Sequence, residues 1–209
     1  MTPEITLFKP ELFAAAARFT STEEVRFYLQ GVYIEPAATG AFLVATDGHR
    51  LFVGHDTLAV VTRAAIIRPP KRKMPPAWFK SATLKIVEGT AHLYDAKGER
   101  IVERALASEI DGTYPDWRHV LPASVSGELS TNVTYDATYL QDFATVRAKL
   151  DVVYASLVPV GWNGLDPAIV EIRPGDCFGV LMPARTTAPT QRPQWFDAET
   201  RQSPREAAE

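Results

Sequence analysis

Short runs of branched and aromatic residues, divided by turn residues, recur along the chain, and two stretches space their apolar residues as a helix does. Ile5-Thr6-Leu7-Phe8 reads as an opening strand. Pro10 suits a first helical position. Glu11 through Phe19 follows, with Leu12, Phe13, Ala16 and Ala17 on one face. Strands are then predicted at 27–35, 41–46 and 51–55. The segment Val25-Arg26-Phe27-Tyr28-Leu29-Gln30-Gly31 leads into the first of these. Between the last two, Asp47-Gly48 is a strong hairpin signal, because Gly tolerates the positive φ of a tight turn, and His49-Arg50-Leu51-Phe52-Val53 reads as the returning arm of that hairpin. The pattern is βαβββ.

The same pattern returns twice. In residues 58–122 the opening strand is 64–67, and strands at 83–88, 91–95 and 101–107 follow a stretch where the helix should stand. That stretch contains Pro69, Pro70, Pro75 and Pro76, which restrict any helix to about a turn. In residues 125–185 a strand at 128–135 precedes Asp136, a plausible N-cap. The helix at 137–150 carries Leu140, Phe143, Ala144, Arg147 and Leu150 at helical spacing. Strands at 152–158, 168–173 and 178–182 complete the unit. Three copies define a repeat of about 60 residues. The predicted organisation is a two-unit domain at 1–122, a half-domain at 123–185 and a disordered tail at 186–209, where Thr, Pro, Gln, Arg and Glu dominate.

Composition narrows the class. The chain has 209 residues, 46% of them apolar and 22% charged, ordinary for a globular protein. Its one cysteine, Cys177, allows no internal disulfide. No apolar run reaches the roughly 20 residues that cross a bilayer, and the first residues lack a signal-peptide pattern. A cytoplasmic protein without a membrane partner is expected. The net charge is −3, unevenly spread. Arg63, Arg68, Lys71, Arg72, Lys73, Lys80 and Lys85 fall between Thr57 and Val87, where there is no Asp or Glu. One basic segment in an otherwise acidic chain suits contact with a polyanion on one face, and equally suits a solvated loop.

Four stretches, in order, resemble the bacterial sliding clamp, the β subunit of the replicative DNA polymerase. They are the segment at 25–31, Ala45-Thr46-Asp47-Gly48-His49-Arg50-Leu51, the link Asp111-Gly112-Thr113-Tyr114-Pro115-Asp116-Trp117-Arg118-His119-Val120-Leu121-Pro122, and Val180-Leu181-Met182-Pro183-Ala184-Arg185. The resemblance implies an α+β DNA-clamp fold built from βαβββ units, with sheets outside and helices inside, lining a hole for duplex DNA. The units present match the family's middle domain and the second half of its last, as in a truncated relative. It also implies a hydrophobic pocket that receives a short peptide from polymerase, clamp loader or repair proteins, typically a Gln followed by apolar and aromatic residues.

Carried over by motif, the pocket residues are Leu29, Thr46, Gly48, His49, Arg50, Leu51, Pro115, Val120, Val180 and Met182. Leu29, Leu51, Val120, Val180 and Met182 supply an apolar lining, and His49 and Arg50 are candidates for the polar end of the ligand. His119 stands where the family commonly has a basic residue. The site exists only if residues 125–185 fold back against the first unit. Candidate DNA contacts are Arg18, Arg63, Arg68, Lys71, Arg72, Lys73, Lys80, Arg147 and Lys149, which would act on phosphates without reading sequence.

The expected function is a sliding-clamp-like DNA replication accessory protein without catalysis, cofactor or metal. One alternative is a regulatory or decoy clamp that sequesters clamp partners without encircling DNA. A remote one is a hydrolase using Asp47, His49, Asp116 and His119. A homodimer through 125–185, a homotetramer and a monomer are all left open. Within the tail, Gln191-Arg192-Pro193-Gln194-Trp195-Phe196 loosely resembles the peptide ligand and is a candidate to occupy the pocket.

Overall fold

The computed structural model describes residues 4–70, 82–101, 107–121, 133–150, 154–158, 166–173 and 175–184. The expected strand before Asp136, in its part before residue 133, the proline-rich stretch at 71–81 and the tail fall outside these residues.

The first unit begins with β1 (Ile5–Leu7), all of it buried, and α1 (Pro10–Ala16). Pro10 sits at the helix start, where its missing N–H costs nothing. The buried carboxylate of Asp56 accepts the backbone N–H groups of Phe8 and Lys9 at 2.7 and 2.8 Å and that of Leu58 at 3.2 Å. One side chain therefore satisfies the donors at the strand–helix junction and in the turn beyond β4. The helix tightens to a 3-10 turn at Ala17–Phe19, so the expected helical stretch is present with a narrower last turn. Next come β2 (Val32–Pro36), β3 (Ala41–Thr46) and β4 (Arg50–Asp56).

Two expectations in this unit are corrected. Residues 27–30 are not strand but a 3-10 turn, Phe27–Gln30. The N–H of Leu29 bonds back to the Arg26 carbonyl, and the Leu29 carbonyl is taken by the N–H of Ser21. The backbone groups that a strand would offer to a neighbour are used locally. Likewise His49 is not in the returning strand. Asp47 Oδ1 accepts from the N–H groups of both His49 and Arg50, which holds both residues in the turn as β4 begins at Arg50.

After the short β5 (Val60–Val61), which the alternation did not reveal, the second unit supplies β6 (Ala65–Arg68), β7 (Thr83–Val87), β8 (Thr90–Tyr94) and β9 (Ala107–Ile110). Of the strand expected at 101–107, residues 102–106 lie outside the described residues. Ile101 lies in a bend, Ala107 is strand, and that strand runs on to Ile110, where Ile66 and Ile67 of β6 pair with Ile110 and Glu109. The third unit holds α2 (Ala137–Lys149), β10 (Tyr154–Val158), β11 (Ala168–Arg173) and β12 (Cys177–Leu181). Residues 133–135, the described end of the strand expected before Asp136, are not strand. Asp136 caps α2, accepting the Thr138 N–H at 2.7 Å.

Among the described residues the strands form one antiparallel sheet in the order β10-β11-β12-β4-β3-β2-β6-β9-β8-β7-β1-β5. The join between first and third units is β4 to β12, with Val180 opposite Leu51 and Gly179 opposite Phe52. The ladder continues through the Met182 N–H to the His49 carbonyl at 2.9 Å. The third unit thus folds back against the first.

Alternation sorts the side chains into two layers. On the face covered by α1 and α2, Leu12, Phe13, Phe19, Phe143 and Val146 meet Ile34, Leu43, Ala45, Phe52 and Leu181. Phe19 stacks on Phe52 with centroids 5.2 Å apart and tilts on Phe143 at 4.7 Å. Gly179 lies under that ring, where a Cβ would come within 2.1 Å of Phe143. On the opposite face, Val44, Leu51, Val53, Ile66 and Val180 meet Leu29, Tyr114 and Trp117. Those last three belong to the turn and the link, which cover the outer face in place of helices. Among the described residues no helix is long and apolar enough to cross a membrane.

Candidate functional site

A cleft of about 340 Å³ opens on the helix-free face, above the β4–β12 join. Its floor is Leu51 and Val180, opposed across the ladder, each 2% exposed. Thr46 borders the floor, and its hydroxyl both donates to the Arg50 carbonyl at 2.7 Å and accepts the Gly48 N–H at 3.0 Å. One wall comes from the 3-10 turn, with Tyr28 and Leu29 beside Arg26. The opposite wall is the link: Pro115, Asp116, Trp117 and Val120. Met182, just past β12, and Gly48 of the hairpin complete the rim. Val120 and Met182 are 46% and 37% exposed, so both present apolar surface at the mouth of the cleft.

Gly48 has φ +93, which Gly reaches without strain. A Cβ there would also lie 2.6 Å from the Arg26 guanidinium, which crosses the hairpin. Arg26 is held by Glu23 at 2.8 Å. The link wall is built on Asp116, whose Oδ1 accepts the Arg118 N–H and starts a 3-10 turn at Trp117–Val120. The Trp117 indole N–H reaches Glu35 on β2 at 3.0 Å. Tyr114 lies beneath, its ring stacked on Tyr33 at 4.8 Å, and burial pushes its phenol well above the ordinary range.

Nine of the ten residues expected at the pocket border this cleft. His49 does not. It stacks on the Tyr139 ring of α2 with centroids 5.7 Å apart. Arg50 borders the cleft, but its guanidinium is not available to a ligand's polar end. Because Arg50 shares the face of Phe52, its side chain runs to the helix side. There it bonds Asp47 Oδ2 at 3.1 Å, Asp142 of α2 and the Arg18 carbonyl, and lies over the rings of Phe19 and Tyr139. Burial works against the charge of Asp142, but hydrogen bonds from Arg50 and Arg18 outweigh it and hold the carboxyl below its ordinary range.

Sequence reasoning missed Arg26, Tyr28, Asp116 and Trp117 as lining residues. The available signal was Trp117: an indole beside a Pro-Asp turn needs both an apolar surface and an acceptor. His119 is largely exposed, 3.7 Å from Asp116.

The expected DNA contacts divide. Arg18 is bonded to Asp142 at 2.5 Å, and Arg63 to Glu4 at 2.6 Å and Glu109 at 2.5 Å. Arg68 is exposed at the end of β6. Arg147 and Lys149 belong to α2 by position. Lys71, Arg72, Lys73, Lys80 and the tail segment from Gln191 to Phe196 lie outside the described residues.

The architecture is the α+β DNA-clamp fold. A DNA polymerase sliding clamp of Pseudomonas aeruginosa, solved with ligand, superposes with a TM-score of 0.60 at 15% identity, covering 89% of this chain and 67% of that one. A Bartonella birtlesii DnaN sliding clamp bound to griselimycin gives 0.60 at 17% identity, covering 89% and 68%. In sequence the chain is similar to bacterial β sliding clamps. It is 33% identical over 117 residues to that of Vibrio cholerae, covering 53% of this chain and 31% of the relative. It is 26% identical over 136 residues to that of Rickettsia bellii, covering 62% and 35%. The chain thus spans about a third of the length of the curated relatives it matches. No protein-family profile matches it.

Proposed function

We propose that the chain is a sliding-clamp-like accessory protein of DNA replication that captures a short peptide of a polymerase, loader or repair protein in the outer-face cleft. The observation that carries this reading is the convergence of Leu29, Leu51, Val120, Val180 and Met182, drawn from four separate segments, on one apolar slot. A peptide needs such a slot for its anchor side chains and a few polar groups for register. Here the register groups are Arg26 and Asp116, not His49 and the Arg50 guanidinium. Met182 is an adaptable wall for anchors of different shape.

The test is a titration of the full chain with a labelled synthetic peptide carrying a Gln, two leucines and a terminal phenylalanine. Met182→Asp and Val120→Asp each place an unpaired charge against the anchors and should weaken binding by at least about tenfold, roughly 1.4 kcal/mol. Both residues are exposed enough for the fold to tolerate the change. Equal binding by wild type and both variants would refute the pocket.

The ion pairs of Arg18 and Arg63 favour a second reading, a decoy that captures the same peptides without gripping DNA, since both cations already have carboxylate partners. Retention on duplex DNA separates the two. The replication reading expects binding at about 50 mM salt that fades steeply toward 200 mM; the decoy reading expects no retention at either.

A further inference from the structure

We propose that Glu35 is a positioning residue for the cleft: its carboxylate fixes the link against the sheet and so sets the wall that a bound peptide meets. The inference rests on the reading of the cleft as a peptide site.

Glu35 stands on the outer face of β2 and does not line the cleft. Its carboxylate takes three hydrogen bonds, all from the link. The Trp117 indole donates to Oε2 at 3.0 Å, and the Arg118 guanidinium donates to Oε1 at 3.2 Å and to Oε2 at 3.1 Å. The paired fork from Arg118 fixes direction as well as distance. The guanidinium also lies 4.3 Å from the Trp117 ring centroid, so the two donors brace each other. Beneath them Phe42 meets Trp117 edge-on, with centroids 5.8 Å apart.

Otherwise the link is held to the sheet by apolar packing, with Tyr114 stacked on Tyr33 and Trp117 and Leu121 in the outer-face cluster. Its own backbone bonds are local, from His119 to Asp116 and from Leu121 to Arg118. Among the described residues, the hydrogen bonds that tie Pro115 through Leu121 to the sheet all end on Glu35. Apolar contact alone is non-directional and lets a short turn slide over the sheet. The carboxylate supplies the missing direction. Trp117 occupies both sides of the arrangement: its indole N–H is held by Glu35 while the residue forms part of the wall.

Glu35→Ala and Glu35→Gln of the full chain would be titrated with the same labelled peptide, alongside melting curves and the indole N–H resonances. The Trp117→Phe chain identifies the Trp117 resonance among the four tryptophans. Glu35→Ala should move that resonance and weaken the peptide by about tenfold. Glu35→Gln keeps an acceptor for the indole and should recover binding to within about threefold of wild type. Wild-type affinity in Glu35→Ala, with the wild type binding normally, overturns the positioning role and leaves the pocket standing. A wild type that ignores the peptide overturns the pocket and this proposal with it. Should Glu35→Ala fail to fold, Arg118→Met removes two of the three bonds at a half-exposed side chain. A loss of about threefold or more then supports the role, and wild-type binding refutes it.

Discussion

Gly179 shows how one missing side chain lets two layers meet. It lies on β12 opposite Phe52, where the Phe143 ring comes down from α2. A methyl group there would sit 2.1 and 2.6 Å from two ring carbons, and 3.1 Å from the Leu51 carbonyl. Phe143 is 2% exposed, so the ring has no free space into which to retreat. Gly179→Ala should therefore destabilise the fold by about 1–3 kcal/mol, measured as a shift in denaturant midpoint. In a Phe143→Leu background the added methyl should cost less, because the smaller side chain leaves room; a cost unchanged by that background would contradict the contact. The cleft depends on the same residue, since Gly179 lies next to Val180 in the strand that supplies half its floor.

At the scale of elements, the hairpin between β3 and β4 is the point where helix face and cleft face are joined. Its Arg50 belongs to the turn that rims the cleft, yet its guanidinium ends on Asp142 of α2, which also binds Arg18 after α1. A carboxyl held below its ordinary 3.8 in the fold contributes stability fully above its unfolded value and loses that contribution as pH falls through the folded one. The stability advantage of wild type over Asp142→Asn should thus be complete at neutral pH and shrink below about pH 4. Urea unfolding of both chains at about pH 7 and pH 3 measures it, and an advantage that grows in acid would refute the linkage. The strands at 41–46 and 168–173 were legible in full, because alternation and flanking turn residues agree there. The turn at 27–30 was not, because its bonds to Arg26 and Ser21 are fixed by backbone geometry that aromatic-rich composition conceals. His49 was misplaced for a related reason: the Asp47 side chain, not Gly48 alone, determines where β4 starts.

For the whole molecule, periodicity tells which face each residue takes but not which strand is its neighbour. Placing Leu51 and Val180 in one site came from motif resemblance, and the β4–β12 ladder supplies its physical basis. The helix-side destination of Arg50 followed from its parity with Phe52 and was available in principle. The role of Glu35 was not, since nothing local to 32–36 signals a partner more than 80 residues away. That same distance between joined parts has a consequence for synthesis. Leu51 leaves the ribosome 130 residues ahead of Leu181. At about 5–20 residues per second the nascent chain spends roughly 6–26 s with a free β4 edge before its partner strand exists. During that interval the cleft has only half its floor. The free β4 edge is thus the stage at which a chaperone has most to protect.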